Sequence, residues 1–310
     1  MNPLSSTFMK KRSSISSIAT WTLPRAAMLL LPLLAIFLCS VRVAVSGTDP
    51  FAGLSGELRI VGSDLGLAAV REAAGKIMAA HPGITITCIM TGAGTGNRWV
   101  RLHQADLCLY DRDPGDTPHL GIPLTYVPYG VDPVAVVVNP LNTVGPLSVS
   151  QLRQIFGNRS KSWNEVGGGA YPVLPMFLEA SEREEGKPDT WPGNFSVSSQ
   201  PAMLFTLARN KESVGYVSLR SLDASLKPVA VDGVMPDRGA FLSGRYRVYR
   251  IMYASLEEGR SQLAKAFMEY MTGPEGQILL NATGYVPLAE KPIWESVLPV
   301  AFPNRLAEGH

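Results

Sequence analysis

Three short stretches carry residues whose types and spacing suit the holding of a small oxyanion. Gly62-Ser63-Asp64-Leu65 sets a hydroxyl and a carboxylate between an apolar run and a helical pattern. Gly92-Ala93-Gly94-Thr95-Gly96 alternates glycine with small residues, so backbone can approach a ligand closely, and Thr95 adds a hydroxyl. Tyr110-Asp111-Arg112 ends another apolar run with an acid and a base. An anion needs no basic pocket at such places. Unpaired N–H groups and about half a positive charge gather at every helix start. Each stretch also admits a plainer reading: a tight connection for Gly92–Gly96, a helix cap for Ser63, an exposed pair for Asp111 and Arg112. Asp132 suits a hinge hydrogen bond as well as a ligand contact.

Other chemistries find little support. The glycine-rich stretch is not followed by the Gly-Lys-Ser/Thr of a nucleotide-binding loop. His81, His103 and His119 show no metal-ligand spacing with one another or with the cysteines. A Gly-x-Ser-x-Gly nucleophile turn is missing from the sequence. Neither an enzyme nor a cofactor is expected.

Short β-rich runs alternate with helical patterns, which predicts an α/β protein. The first unit reads as strand Glu57–Val61, helix Leu67–Ala80, strand Ile84–Met90, a glycine turn, a helix near Arg98–His103 and strand Ala105–Tyr110. All three candidate stretches then fall at carboxyl ends of strands, where open α/β sheets bind ligands. The apolar run Pro133–Val138 predicts a strand buried on both faces. Ser148 caps a helix Val149–Phe156. Strand Pro172–Leu178, an irregular charged segment Ala180–Gly193 and helix Pro201–Arg209 follow. Strands Val214–Val217, Pro228–Val231 and Tyr246–Tyr253 then lead to helices Gly259–Met271 and Glu275–Asn281.

Residues 1–46 read as an export signal. Lys10, Lys11, Arg12 and Arg25 precede the apolar stretch Ala26–Val41, and Ala44 and Ser46 stand at the −3 and −1 positions for a cut before Gly47. An uncleaved membrane anchor is the alternative, although Pro32 and Arg42 shorten the apolar run below the ~20 residues of a spanning helix. A lipoprotein signal is disfavoured because Ile36-Phe37-Leu38 ahead of Cys39 lacks small residues. Taking the segment's five basic residues from the total of 28 leaves 23 against 26 acidic ones, a formal charge of −3. A nucleic-acid partner is not expected of such a surface.

The segment Asp132–Gly168, DPVAVVVNPLNTVGPLSVSQLRQIFGNRSKSWNEVGG, resembles the second-domain entry of phosphate ABC-transporter binding proteins, where a DxVAVVVNPxNP strand leads into an LTxxQLRxIFxGKxxxW helix and turn. Val214-Gly215-Tyr216-Val217-Ser218-Leu219, the segment Val229–Val234, Gly273-Pro274-Glu275-Gly276-Gln277 and Gly284-Tyr285-Val286-Pro287-Leu288 extend the likeness in the same order. The resemblance implies a two-lobed type II periplasmic-binding-protein-like fold with crossover hinge strands. One lobe would comprise residues 47–129 and 246–310, the other 130–245. It further implies an exported monomer, periplasmic or associated with the cell surface, that delivers inorganic phosphate or a similar oxyanion to an ABC transporter permease. Its ligand residues would be Ser63, Asp64, Leu65, Ala93, Gly94, Thr95, Asp111 and Arg112 in the first lobe. It implies, too, a first strand lying between the second and third. That order keeps Cys88 and Cys108 about 9–10 Å apart, beyond disulfide reach.

The sequence also departs from the family pattern. Ala93 stands where the family carries a serine, and Leu65 where it carries a hydroxyl residue. The Ser-Gly-Thr-Arg helix start expected after strand Pro172–Leu178 is replaced by the acid-rich Glu179–Thr190. The second lobe is therefore expected to grip a small oxyanion weakly, with Arg183 best able to compensate. A binding fold repurposed for sensing, or for a protein partner, is the alternative consistent with this loss.

Overall fold

The computed structural model describes residues 49–111, 114, 122–178, 195–197 and 199–290. The N-terminal segment, Arg112, the charged segment and its Arg183 lie outside the described residues. The elements run β1 (Gly56–Gly62), α1 (Leu67–Ala80), β2 (Ile84–Met90), α2 (Ala93–Arg101), β3 (Leu107–Tyr110), β4 (Thr125–Val138), α3 (Val149–Phe156), β5 (Leu174–Leu178) and β6 (Phe195–Val197). They continue as α4 (Gln200–Arg209), β7 (Ser213–Ser218), β8 (Lys227–Pro228), α5 (Arg238–Leu242), β9 (Tyr249–Leu256), α6 (Gln262–Thr272) and α7 (Pro274–Ala282).

Among the described residues the strands form one sheet in the order β2-β1-β3-β9-β4-β7-β5-β6, with β8 also on β4. β1 lies between its parallel neighbours: Ile60 sits beside Cys88 on one side and Val61 beside Cys108 on the other. Neither cysteine is in a disulfide, as that order requires. The helices of the first unit cross over this parallel sheet. Leu67, Ala69, Val70, Ala73, Ala74 and Ile77 give α1 one buried face, the 3.6-residue stripe of a surface helix.

β4 and β9 join the two halves of the sheet. From Thr125 to Pro133, β4 pairs with β9; from Val134 to Val138 it pairs with β7. Two prolines fit this geometry, because a proline cannot donate to a ladder. Pro128 adjoins a register shift, and Pro133 stands where β4 changes partner. The last ten residues of β4 are all buried, and the strand is covered on both faces. Val134, Val136 and Val138 pack with Leu152, Phe156 and Trp163 on one side; Ala135 and Val137 pack with Met203 and Leu207 on the other. A separate core gathers Leu58, Ile60, Val70, Ile77, Leu109, Met252 and Phe267 around the β1 side of the sheet. Each such aliphatic side chain contributes roughly 1.5–3 kcal/mol by leaving water.

Candidate oxyanion-binding site

Ser63, Asp64 and Asp111 come together at the carboxyl ends of the adjacent strands β1 and β3. The Ser63 hydroxyl donates to Asp111 Oδ2 at 2.8 Å and accepts from the Leu65 N–H at 3.2 Å. The Ser63 N–H donates to the Leu109 carbonyl at 2.9 Å. One residue thus ties the loop after β1 to the residue after β3. The Leu65 side chain points into the core, and its carbonyl accepts from the Tyr129 hydroxyl at 3.1 Å. Leu65 holds the loop down and leaves Asp64 half-buried above it.

The glycine stretch is the first turn of α2 rather than a loop ahead of it. The amides of Thr91 and Gly92 both donate to the Gly62 carbonyl at 3.0 Å. Gly92 turns the chain with φ 77° and brings no capping side chain. Gly96 lets the helix lie directly on the sheet: a Cβ there would stand 2.5 Å from Cys108 Sγ and 2.9 Å from the Gly62 Cα. Ala93, Gly94 and Thr95 therefore supply the helix start itself, where N–H groups and the dipole favour an anion.

A second group of polar residues lies at the crossover of the hinge strands. Asp132 on β4 faces Arg250 on β9 in register, and Arg250 Nε donates to Asp132 Oδ2 at 2.8 Å. Ser218, at the end of β7, donates to Asp132 Oδ1 at 2.5 Å. Its N–H donates to Gln200 Oε1 at 3.3 Å, and Gln200 opens α4, whose start is capped by Ser199.

Electrostatics join the two groups. Burial, then the charge of Asp111, pushes the Asp64 carboxyl above its ordinary pKa, while Arg250 and the backbone N–H groups of Asp64 and Gln200 pull it back. The loop after β1 therefore meets the start of α4 from the other half of the sheet. Burial opposes the Arg250 charge, but Asp132 and Asp111 outweigh it and hold its pKa above the usual arginine value. Burial raises Asp132 as well, against the pull of Arg250 and Ser218. Arginine keeps its proton inside proteins, and each Asp132 oxygen accepts a hydrogen bond, Oδ2 from Arg250 Nε and Oδ1 from the Ser218 hydroxyl.

Gln200, Ser218 and Arg250 escaped the sequence reading. A charge inside the apolar run Tyr246–Tyr253 was the available signal for Arg250, since a buried strand excludes an unpaired cation. For Gln200 it was Pro201, which marks a helix's first turn. No group of three or more His, Cys, Asp or Glu able to hold a metal ion occurs among the described residues, and no described helix is long and apolar enough to cross a membrane.

A family model for the PBP superfamily domain matches residues 47–275. The chain belongs to the PBP superfamily. The phosphate-binding protein PstS of Bacillus subtilis is 24% identical over 260 residues, covering 76% of this chain and 82% of that protein. An ABC-type phosphate transport receptor from Vibrio cholerae superposes with a TM-score of 0.60 at 22% identity, over 75% of this chain and 100% of that one. A putative phosphate ABC transporter substrate-binding protein with bound phosphate from Clostridium perfringens does so with a TM-score of 0.62 at 21% identity, over the same shares. The fold is the two-lobed type II periplasmic-binding architecture with crossover hinge strands, as the resemblance implied.

Proposed function

We propose that this chain is an exported solute-binding protein that captures inorganic phosphate, or a similar oxyanion, between two lobes and presents it to the permease of an ABC uptake system. In this reading residues 1–46 are the export signal, 47–129 with 246–310 form one lobe, and 130–245 form the other. The separate cores on the two sides of the β4–β9 crossover support that division. The names of the PstS relative and of the two similar structures support phosphate as ligand.

The observation that carries the reading is the buried Asp111, oriented by Ser63 beside the start of α2. Backbone donors at a helix start attract an oxyanion of any kind. A carboxylate among them accepts a hydrogen bond only from an oxyanion that still carries a proton. Phosphate keeps one near neutral pH and sulfate does not, so the acid selects by repelling the fully ionised competitor. Ser63, Asp64 and the first turn of α2 at Ala93, Gly94 and Thr95 complete the first-lobe set, with Leu65 as its floor; Arg112, next in sequence to Asp111, is included on the family likeness alone.

Asp111→Asn tests this directly. Asparagine can donate to an ionised oxygen as well as accept from a protonated one. The variant is expected to narrow the preference for phosphate over sulfate by roughly ten- to a hundredfold, since a hydrogen bond to a charged group is worth about 1.5–3 kcal/mol. Titration calorimetry with both anions reads the ratio. An unchanged ratio would remove Asp111 from the site.

A further inference from the structure

Two buried donors in the hinge region have no protein partner among the described residues: Nε2 of Gln200 and Nη2 of Arg250. Their residues are 7% and 6% exposed. Each side chain is held at its other functional end. Gln200 Oε1 accepts from the Ser218 N–H, and Arg250 Nε is fixed on Asp132, which the Ser218 hydroxyl also holds. One short network thereby presets both side chains and leaves one donor of each unused. A buried donor left without an acceptor costs about 1–3 kcal/mol, so native chains rarely keep two together without a use for them.

Their surroundings show what such a use requires. On β9, Tyr253 pairs with Tyr110, the residue before Asp111, and Arg250 stands three positions before Tyr253, opposite Asp132; in keeping with that placement the Arg250 charge acts on both Asp64 and Asp111, and the Gln200 backbone on Asp64. The two donors therefore stand across from the first-lobe residues assigned to the oxyanion. From these contacts we infer that Gln200 Nε2 and Arg250 Nη2 are the donors with which the hinge and the second lobe grip the oxyanion. They would do the work of the missing Ser-Gly-Thr-Arg element, and Arg183 would not be needed. The inference rests on the oxyanion-binding reading above. It changes the expectation drawn from the sequence, because a second lobe whose preset amide is joined by a preset guanidinium on the hinge strand β9 is not a weak partner.

The experiment is titration of the purified protein and its variants with inorganic phosphate, each also melted without ligand. Arg250→Lys keeps a cation for Asp132 and removes Nη2. Gln200→Glu keeps the oxygen that accepts from Ser218 and replaces only the amide nitrogen. Both are expected to raise Kd by roughly ten- to a hundredfold, and the ligand-free melt checks that each variant is still folded at the titration temperature, Gln200→Glu melting lower than wild type because it adds a buried acid beside Asp64. Arg183→Ala should stay within about twofold of wild type, the spread ordinary for a change that touches no ligand contact. Phosphate affinity retained in both Arg250→Lys and Gln200→Glu overturns the inference, as does a large loss in Arg183→Ala alone. If Arg250→Lys fails to fold, Gln200→Glu and the neutral Gln200→Met decide. A wild-type protein that binds neither phosphate nor sulfate sinks the functional reading itself, an outcome separate from a wild type that binds while its variants are unaffected.

Discussion

Asp64 is poised between two demands, since it closes the space between the halves of the site yet pays for standing near Asp111. Its pKa is raised first by burial and then by that neighbouring charge. The unfolded chain gives up this proton at a lower pH than the folded chain does. Stability is therefore lost as pH rises from the ordinary carboxylate range through the raised value, and the loss is complete above it. Asp64→Asn should remove that penalty and still accept the Gln200 N–H. Its ligand-free melting temperature should exceed that of wild type near neutral pH, with the gain fading toward about pH 4, where a free aspartate itself protonates. A gain that is constant with pH would mean Asp64 acts through packing alone. At this scale the sequence placed Ser63 and Asp111 just past strand ends, where the structure has them joined by a hydrogen bond. It was silent about the Asp132–Arg250 pair, whose partners lie 118 positions apart and meet only through strand register.

Among the elements, α2 depends most on what its residues leave out. Gly96 meets Gly62 and Cys108 where a side chain has no room. Gly96→Ala must push the helix start off the sheet, an overpacking cost of about 1–3 kcal/mol. It should lower the urea midpoint with an unchanged slope and weaken phosphate binding as well, because the displaced turn carries Ala93, Gly94 and Thr95. Normal affinity in a destabilised variant would detach α2 from the site. The same element shows why some boundaries could be read and others not. Glycines disfavour a helix interior, so the sequence placed the start of this helix near Arg98, whereas the contact with Gly62 brings it forward to Ala93. The helix Val149–Phe156 was legible end to end because Ser148 and Gln151 form a capping box. The last strand shifted from Tyr246–Tyr253 to Tyr249–Leu256. Tyr246 and Val248 are buried as an apolar run predicts, but burial alone does not say where pairing begins. The short β6 and α5 had too few residues to show a period.

For the molecule as a whole, the fold class could be read from the alternation of strands and helices, and the hinge from the family likeness around Asp132. The ties between the halves could not, because they are made by single side chains on surface turns. Arg220 donates to the Thr283 carbonyl at 2.9 Å, and Arg238 to the Tyr285 carbonyl at 3.1 Å and to Asn281 Oδ1 at 2.6 Å. The turn after α7 is thus clasped by residues from the opposite side of the crossover. The shared strand β4 has a consequence beyond ligand binding. Its first stretch completes the ladder of one half and its second stretch completes the ladder of the other. Neither half can melt and leave its neighbour with an intact sheet edge, so two cores should denature as one cooperative unit. Scanning calorimetry should give a single endotherm whose calorimetric and van't Hoff enthalpies agree. Two resolved transitions would mean that β4 parts between Pro133 and Val134, and that the lobes are held together by chain alone.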